Sequence, residues 1–288
     1  MLQVARLAPK LLCEATDNVI EFLLGQINED GGFQNRDGQS DLYYTVFGLE
    51  ALVALQQEIP YQNINSYLDK FGNGRGLDLV HLSCLVRCHS ILQHSGYGYD
   101  KTKPSAEQFE TFRSNDGGYS ASLNETKGSV YHGFLVLGAY QDLKMRIPNP
   151  EELASSIQSL QIKNGGYAGK PGVFVGSTPT TAAALIALRH LDVLPSPEAS
   201  EWLLSQSYSE GGFLAGDSVP IPDLLSTATS LHALAGSDVS FEHLKESTLD
   251  FLDSLWSSKG GFYGNWSEDV LDCEYTYYGL LALGHLSL

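Results

Sequence analysis

A Gly-Gly-aromatic motif recurs along this chain and constrains its fold more than any other feature. The clear copies begin at Gly31, Gly117, Gly165, Gly211 and Gly260. From the second copy onward the spacings are 48, 46 and 49 residues, and the first gap of 86 residues holds a decayed copy, "FGNGRGLD", near its midpoint. Self-similarity at such a period indicates stacked helical repeats. The sequence therefore predicts six units of about 45 residues in a single domain over residues 1–288.

Each unit contains two helix-like segments of different character. The first, such as "NVIEFLLGQI" or "EASEWLLSQS", is amphipathic. We expect the Gly-Gly pair to end it, because glycine enters the left-handed C-cap conformation without penalty. The second segment, such as "DCEYTYYGLLAL", is apolar on most faces, as buried helices are. Six hairpins with one exposed and one buried helix each predict an all-α fold, an (α/α)6 toroid with the buried helices inside.

Composition and charge exclude several classes of function. The formal net charge of −17 argues against nucleic acid and against an anionic membrane surface as partners. No apolar run approaches the roughly 18 residues that a membrane span needs. The first residues, "MLQVARLAPKLL", lack the apolar core and cleavage site of a secretion signal. Four cysteines are too few for a disulfide scaffold, so we expect a cytoplasmic protein with free thiols.

The repeats, with Asp-x-x-Tyr-Thr and Ala-Leu in the inner segments, resemble those of the superfamily of protein prenyltransferase β-subunits and terpene cyclases. The resemblance extends over residues 18–286. It implies an α/α toroid that binds an isoprenoid or another lipid-like small molecule in a central cavity. For a prenyltransferase, it also implies a helical α-subunit as a partner.

The zinc site that the resemblance implies is incomplete here. Protein prenyltransferases hold zinc through an Asp and a Cys two residues apart in the fifth inner helix, together with a His in the sixth. The Asp corresponds to Asp223, but the other two positions hold Leu225 and Tyr275, which cannot replace soft zinc ligands. The loop at 214–222 also lacks the Lys and Arg with which the family grips a prenyl diphosphate. The identity of any bound metal stays open.

The start of the last inner segment, "DCEYT", carries the strongest candidate for acid chemistry. Class II terpene cyclases have an Asp-x-Asp-Asp-Thr motif there, and its middle Asp protonates an alkene or epoxide. The resemblance places Glu274 at that position and Asp272 at the first. Neighbouring carboxylates in a partly apolar cavity raise one another's pKa, which makes a Glu a usable general acid. The candidate catalytic residues are Asp272, Glu274 and Asp223.

These three carboxylates have alternative interpretations. A hard ion such as magnesium could bind between them. Asp223 and Asp272 could also simply cap their helices, because each opens an inner segment and Asp is a favoured N-cap residue. Glu274 has no counterpart in the other units, so capping does not explain it.

Candidate substrate-binding residues surround the expected mouth of the ring. Tyrosines near the starts of inner segments would form a wall for an isoprenoid chain or a carbocation, or they would only pack in the core. A histidine takes the tyrosine position in the second unit. Basic residues in the early loops would meet a diphosphate at the converging helix N-termini. The candidates are Tyr43, Tyr44, His81, Tyr131, Tyr275, Arg36 and Lys127.

Three functions stay open at this point. The leading hypothesis is an enzyme of isoprenoid metabolism that resembles the prenyltransferase β-subunit and acts on a prenyl group without the usual zinc ligands. The second is a proton-initiated reaction like that of class II terpene cyclases, with Glu274 as the acid. The third is a non-catalytic toroid that binds a lipid or a protein.

Overall fold

The computed structural model of the chain describes residues 1–97 and 104–288. Its central feature is a closed ring of inner helices, each of which packs against the next, with the last against the first. The inner helices are α4 (Leu42–Ala54), α6 (Leu79–His94), α8 (Val130–Asp142), α10 (Thr178–His190), α12 (Leu224–Gly236) and α14 (Cys273–Leu286). The predicted all-α (α/α)6 toroid is confirmed.

Outer helices surround this ring. They are α3 (Thr16–Gly25), α5 (Tyr61–Asp69), α7 (Glu107–Glu110), α9 (Pro150–Gln158), α11 (Pro197–Ser205) and α13 (Lys245–Leu255). The remaining regular elements of the described chain are α1 (Leu2–Ala5), α2 (Pro9–Leu12), the 3-10 turns Cys13–Ala15 and Glu242–Leu244, and a two-stranded ribbon of β1 (Phe213–Leu214) and β2 (Pro222–Asp223). Helix α1 packs against α14 and α4. No helix among the described residues is long and apolar enough to cross a membrane.

The Gly-Gly pairs connect neighbouring repeats. The prediction that they end the first helix of each unit is wrong, because α3 already ends at Gly25 and the pair begins at Gly31. Gly31 has a positive φ, and a side chain there would overlap the backbone carbonyl of Asn63 in the next outer helix. A side chain on Gly260 would overlap Asn18 of the first outer helix in the same way, so the contact also closes the ring. Only glycine permits both the conformation and the close approach.

A short polar side chain caps every inner helix. These side chains accept hydrogen bonds from backbone N–H groups in the first turn, which contributes about 1 kcal/mol per helix. The caps are Asp41, Asp78, Ser129, Ser177, Asp223 and Asp272. A returning connection joins each inner helix to the next, so the inner helices run parallel. We call the end of the ring at their N-termini the mouth and the opposite end the floor.

The interior of the ring is uneven. The buried side chains of α10 and α12 are small or aliphatic, chiefly Ala, Ser, Thr and Leu, and these helices pack closely. The helices α4, α6, α8 and α14 carry aromatic and charged side chains inside the ring. These four helices line a central cavity of about 160 Å³. The cavity is therefore displaced toward one half of the ring.

Candidate active site

Glu274 and Tyr43 meet at the mouth of the ring, and Tyr43 also lines the central cavity. Each lies in the first turn of its helix, on α14 and α4 respectively, and these helices are neighbours in the ring. The Tyr43 hydroxyl donates a 2.6 Å hydrogen bond to Oε1 of Glu274. Both side chains are partly buried. A carboxyl group at the edge of an apolar cavity thus has a neutral phenol as its direct partner.

This environment alters the proton affinity of Glu274. Burial raises its pKa to about 7, and the negative charge of Asp272 acts in the same direction. The hydrogen bond from Tyr43 and the positive charge of Arg36 oppose the shift without cancelling it. Burial also raises the pKa of Tyr43, so the phenol keeps its proton. At neutral pH a large fraction of Glu274 is protonated, which suits a general acid or base.

Asp272 has a different environment from Glu274, only two residues away. Its Oδ1 accepts a 2.8 Å hydrogen bond from the Tyr275 backbone N–H, and its Oδ2 accepts one of 2.9 Å from Nε of Arg36. Burial raises the pKa of Asp272, and these hydrogen bonds act against the increase. Asp272 is 2% exposed, so capping of α14 is confirmed as one of its roles. Its catalytic role stays a prediction.

Arg36 reaches the mouth from the first loop. Besides Asp272, its guanidinium contacts Glu268 at 3.0 Å and lies over the ring of Tyr275, 5.2 Å from the centroid. Burial acts to lower the pKa of Arg36, but the two carboxylates outweigh it and raise the pKa. The group predicted to bind a diphosphate is thus already paired within the protein.

Asp223 caps α12 on the side of the mouth near Tyr275. Its two oxygens accept hydrogen bonds from the backbone N–H and the hydroxyl of Ser226, both at 2.7 Å. Burial raises the pKa of Asp223. The charge of Asp223 in turn contributes to the raised pKa of Tyr275, after the larger effects of burial and Glu274. Its catalytic role stays a prediction, as does the role of Tyr275 in substrate binding.

Aromatic side chains line part of the central cavity. Tyr43 and Tyr131 line it, and Tyr44 contacts Tyr43 edge to face with ring centroids 5.7 Å apart. Deeper in the cavity Phe47 adds a ring 5.0 Å from Tyr43 and 5.4 Å from Tyr278. The faces of such rings attract cations. The sequence had not singled out Phe47 or Tyr278, although Phe47 lies one helical turn after Tyr43.

Two predicted substrate-binding residues lie elsewhere. His81 connects two helix caps, with Nδ1 2.8 Å from an oxygen of Asp78 and Nε2 3.9 Å from one of Asp41. Lys127 lines a separate surface cleft with parts of 159–164 and 170–174. Neither residue is among those that line the central cavity, and the lining does not include Arg36, Tyr44, Tyr275 or the three predicted catalytic carboxylates either.

The floor of the cavity holds a charged group that sequence reasoning missed. Arg87 on α6 contacts Oδ2 of Asp142 at 2.8 Å through Nε and Oε1 of Glu50 at 3.4 Å through Nη1. Burial acts to lower the pKa of Arg87, but both carboxylates counter it and the pKa is raised. The buried Tyr277 hydroxyl lies beside Glu50. The sequence did contain a signal for this charged group, because Glu50 and Arg87 interrupt otherwise apolar inner segments.

The described residues do not fit the zinc of protein prenyltransferases. No group of three or more His, Cys, Asp and Glu side chains in residues 1–97 and 104–288 is arranged to hold a metal ion. At the positions of the family's zinc ligands, Leu225 and Tyr275 accompany Asp223. A leucine has no donor atom, and burial keeps the Tyr275 phenol protonated by raising its pKa to about 12.

Comparison with known proteins agrees with this architecture. The sequence profile of the prenyltransferase alpha-alpha toroid domain matches residues 7–110, 123–199 and 192–287. No curated protein sequence matches the chain significantly. Among solved structures, the type II terpene cyclase MstE from Scytonema is 13% identical, with a TM-score of 0.64 over 96% of this chain and 97% of that chain.

Two further structures show how widely the fold is used. Candida albicans protein geranylgeranyltransferase-I, complexed with GGPP, is 16% identical and has a TM-score of 0.59 over 99% of this chain and 81% of that chain. A D-mannose isomerase is 13% identical and has a TM-score of 0.66 over 97% and 98% of the two chains. Similarities at such low identity establish the fold but not the reaction.

Proposed function

The chain belongs to the family of prenyltransferase alpha-alpha toroid domains, and we propose that it is an enzyme that uses Glu274 to protonate a double bond of an isoprenoid-like substrate. One observation carries the proposal: a partly buried carboxyl group with a pKa near 7 accepts a hydrogen bond from Tyr43 at the mouth of an aromatic cavity. Among the similar structures, MstE is a type II terpene cyclase and the Candida enzyme was complexed with GGPP. Both names support an isoprenoid substrate class.

The proposed step needs no oxidant or reductant. The π electrons of the substrate's double bond form a new C–H bond with the Glu274 proton, and the O–H electron pair stays on the carboxylate. A carbocation forms at the more substituted carbon, facing the rings of Phe47 and Tyr278. Loss of a neighbouring proton, or attack by a second double bond followed by proton loss, gives an isomer or a ring. The proton that the carbocation loses goes to a base, so the product has the same elemental composition as the substrate.

The surrounding residues support this role for Glu274. Arg36 and Asp272 fix the start of α14 through the cap and the ion pair. Tyr43 orients the carboxyl group. All these groups belong to one chain, so the chemistry does not depend on the helical partner subunit that the resemblance implies.

Prenyl transfer with the family's zinc has less support. The ligand positions at Leu225 and Tyr275 do not fit the metal. The basic group at the mouth, Arg36, is engaged by Asp272 and Glu268 and is less available to a diphosphate. Protonation by Glu274, in contrast, needs only side chains that this chain has.

Product analysis in D₂O tests the proposal. The purified protein is incubated with unsaturated isoprenoids of increasing length, with EDTA, magnesium or zinc, and the products are identified by mass spectrometry. We expect isomerised or cyclised products that carry deuterium, form in EDTA and disappear in Glu274→Gln. Release of diphosphate that requires a metal would contradict the proposal in favour of prenyl transfer. A folded protein without turnover would favour a binding toroid.

A further inference from the structure

The central cavity has a second polar end that the proposed acid chemistry does not use. Tyr43 at the mouth and Glu50 at the floor are seven residues apart on α4, and a rise of 1.5 Å per residue separates them by about 10 Å. Phe47 lies between them on the same helical face. The cavity is thus an apolar passage with a polar group at each end.

The guanidinium at the floor keeps a donor for a ligand. The two ion pairs of Arg87 use Nε and Nη1. Its Nη2 lies 3.5 Å from the point that a Cβ on Gly138 would occupy, and Gly138 lines the cavity. The Arg87 side chain keeps 40% of its accessible surface although α6 is an inner helix, and this surface faces the cavity that it lines. Glycine at position 138 leaves open space beside the guanidinium.

The charge at the floor selects the kind of polar group that fits there. Two carboxylates, Glu50 and Asp142, meet two cationic groups there, the guanidinium of Arg87 and the amino group of Met1, which also lines the cavity. The floor therefore has no excess of positive charge that would attract an anionic ligand end such as a diphosphate or a carboxylate. A neutral oxygen can accept from Nη2 of Arg87, and a hydroxyl can also donate to Glu50. A neutral oxygen is therefore the complementary group.

Cavity size limits the length of the occupant. The volume of about 160 Å³ lies below the roughly 300–1,000 Å³ of most ligand pockets, so only a small occupant fits. With C–C bonds of about 1.5 Å, an extended chain of about eight carbons spans the distance from mouth to floor. A chain of twice that length would not fit between the two polar ends.

We propose that the cavity selects an unsaturated alcohol or carbonyl compound of about eight to ten carbons, with its double bond at Glu274 and its oxygen at Arg87. The assignment of the double bond rests on the proposed function. The binding of the oxygen at the floor does not, because it depends only on Arg87, Glu50 and the space left by Gly138.

Isothermal titration calorimetry on the full chain tests the floor separately from catalysis. Geraniol is the probe with the expected length and oxygen, myrcene has the same number of carbons without oxygen, geranyl diphosphate carries an anion, and geranylgeraniol is too long. Arg87→Lys keeps the charge but loses the planar donor group. Gly138→Ala adds one methyl group beside Nη2 and leaves every charge in place. Glu246→Gln, on the exposed surface of α13, is the control.

We expect geraniol to bind most tightly to the wild-type chain. Arg87→Lys and Gly138→Ala should each weaken geraniol binding by about tenfold and leave myrcene binding within about threefold. Glu246→Gln should retain geraniol binding. Arg87-dependent binding without any turnover would overturn the proposed function and support the site at the floor.

Three results would overturn the site at the floor. They are equal affinity for myrcene and geraniol, tighter binding of geranyl diphosphate or geranylgeraniol than of geraniol, and geraniol affinity that both floor variants leave unchanged. If Arg87→Lys fails to fold, Gly138→Ala alone decides, because alanine is favoured in a helix and its Cβ makes an ordinary contact.

Discussion

The mouth and the floor of the cavity both enclose carboxyl groups, but they give them different partners. At the mouth, Glu274 accepts a 2.6 Å hydrogen bond from the neutral phenol of Tyr43. At the floor, Asp142 and Glu50 contact the guanidinium of Arg87 at 2.8 Å and 3.4 Å. Burial raises the pKa of Asp142 as well, and the positive charge of Arg87, which contacts Asp142 directly, acts against the increase.

The difference shows that the partner of a buried carboxyl group determines how strongly that group binds a proton. A neutral donor compensates little of the cost of burying a charge, so Glu274 takes up a proton near neutral pH. A cation beside two carboxylates stabilises their ionised forms. The mouth thus holds a carboxyl group that titrates near neutral pH, and the floor holds carboxylates that contact a cation directly. The predictions that follow test this contrast.

Loss of the mouth carboxyl should have the largest effect. Glu274→Gln removes the transferable proton and preserves the shape of the side chain. We expect the rate of product formation to fall by about 10²- to 10⁴-fold, because that is the usual contribution of general acid catalysis. Steady-state kinetics measure it, and Glu246→Gln on the outer surface is the matched control. A rate within about threefold of wild type would rule out Glu274 as the acid.

Loss of the floor cation should chiefly affect stability. Arg87→Met removes the guanidinium that contacts both Glu50 and Asp142, whose side chains are only 11% and 12% exposed. The free energy of unfolding should fall by about 2–3 kcal/mol, which is less than for a fully buried ion pair because 40% of the Arg87 side chain is exposed. Urea denaturation measures this change. Arg36→Met at the mouth should cost about 1 kcal/mol, because Asp272 keeps its hydrogen bond from the Tyr275 backbone N–H, and an equal loss from both variants would contradict the contrast.

Glu274 should make stability depend on pH in an unusual direction. Its pKa is raised from 4.5 to about 7, so the folded chain binds more protons than the unfolded chain between these values. The wild-type chain should therefore lose stability as pH rises through this window. Glu274→Gln avoids the loss and should be more stable than wild type by about 2–3 kcal/mol at pH 8, with little difference at pH 4. If Glu274→Gln is instead less stable than wild type at pH 8, ionising Glu274 costs the folded chain no free energy, which would contradict the prediction.

The smallest predicted effect concerns the phenol at the mouth. The hydrogen bond from Tyr43 lowers the pKa of Glu274, so Tyr43→Phe should raise that pKa further. Activity should then persist to higher pH than in wild type, with kcat/KM at low pH reduced by less than about tenfold. A pH–rate profile measures both. A profile displaced to lower pH would contradict the assigned hydrogen bond.

The repeat period was sufficient to predict the ring and the caps, because both depend on patterns within one unit. The caps at Asp223 and Asp272 follow from a short polar residue before an apolar segment. The Gly-Gly pairs were misinterpreted, because their function is a contact with the next unit. No local rule reveals that Gly31 approaches the backbone of Asn63.

The candidate site was predictable only in part for the same reason. Glu274 was recognisable from its place in the motif, but its partner Tyr43 is 231 residues away. Ring closure brings the first and last inner helices together, and it also joins Arg36 to Asp272. At the floor, Glu50, Arg87 and Asp142 come from three helices. Periodicity gives the face of each helix, but not which side chains meet across the ring.

The proton affinity of Glu274 is the central claim, and its measured pKa tests that claim most directly. A ¹³C NMR titration of the chain with labelled glutamate, in which Glu274→Gln identifies the resonance, reports the carboxyl group itself. We expect a titration midpoint near pH 7, because burial beside a neutral phenol disfavours the ionised form. A midpoint near 4.5, the ordinary value for a glutamate, would contradict the account of the mouth and with it the proposed acid chemistry.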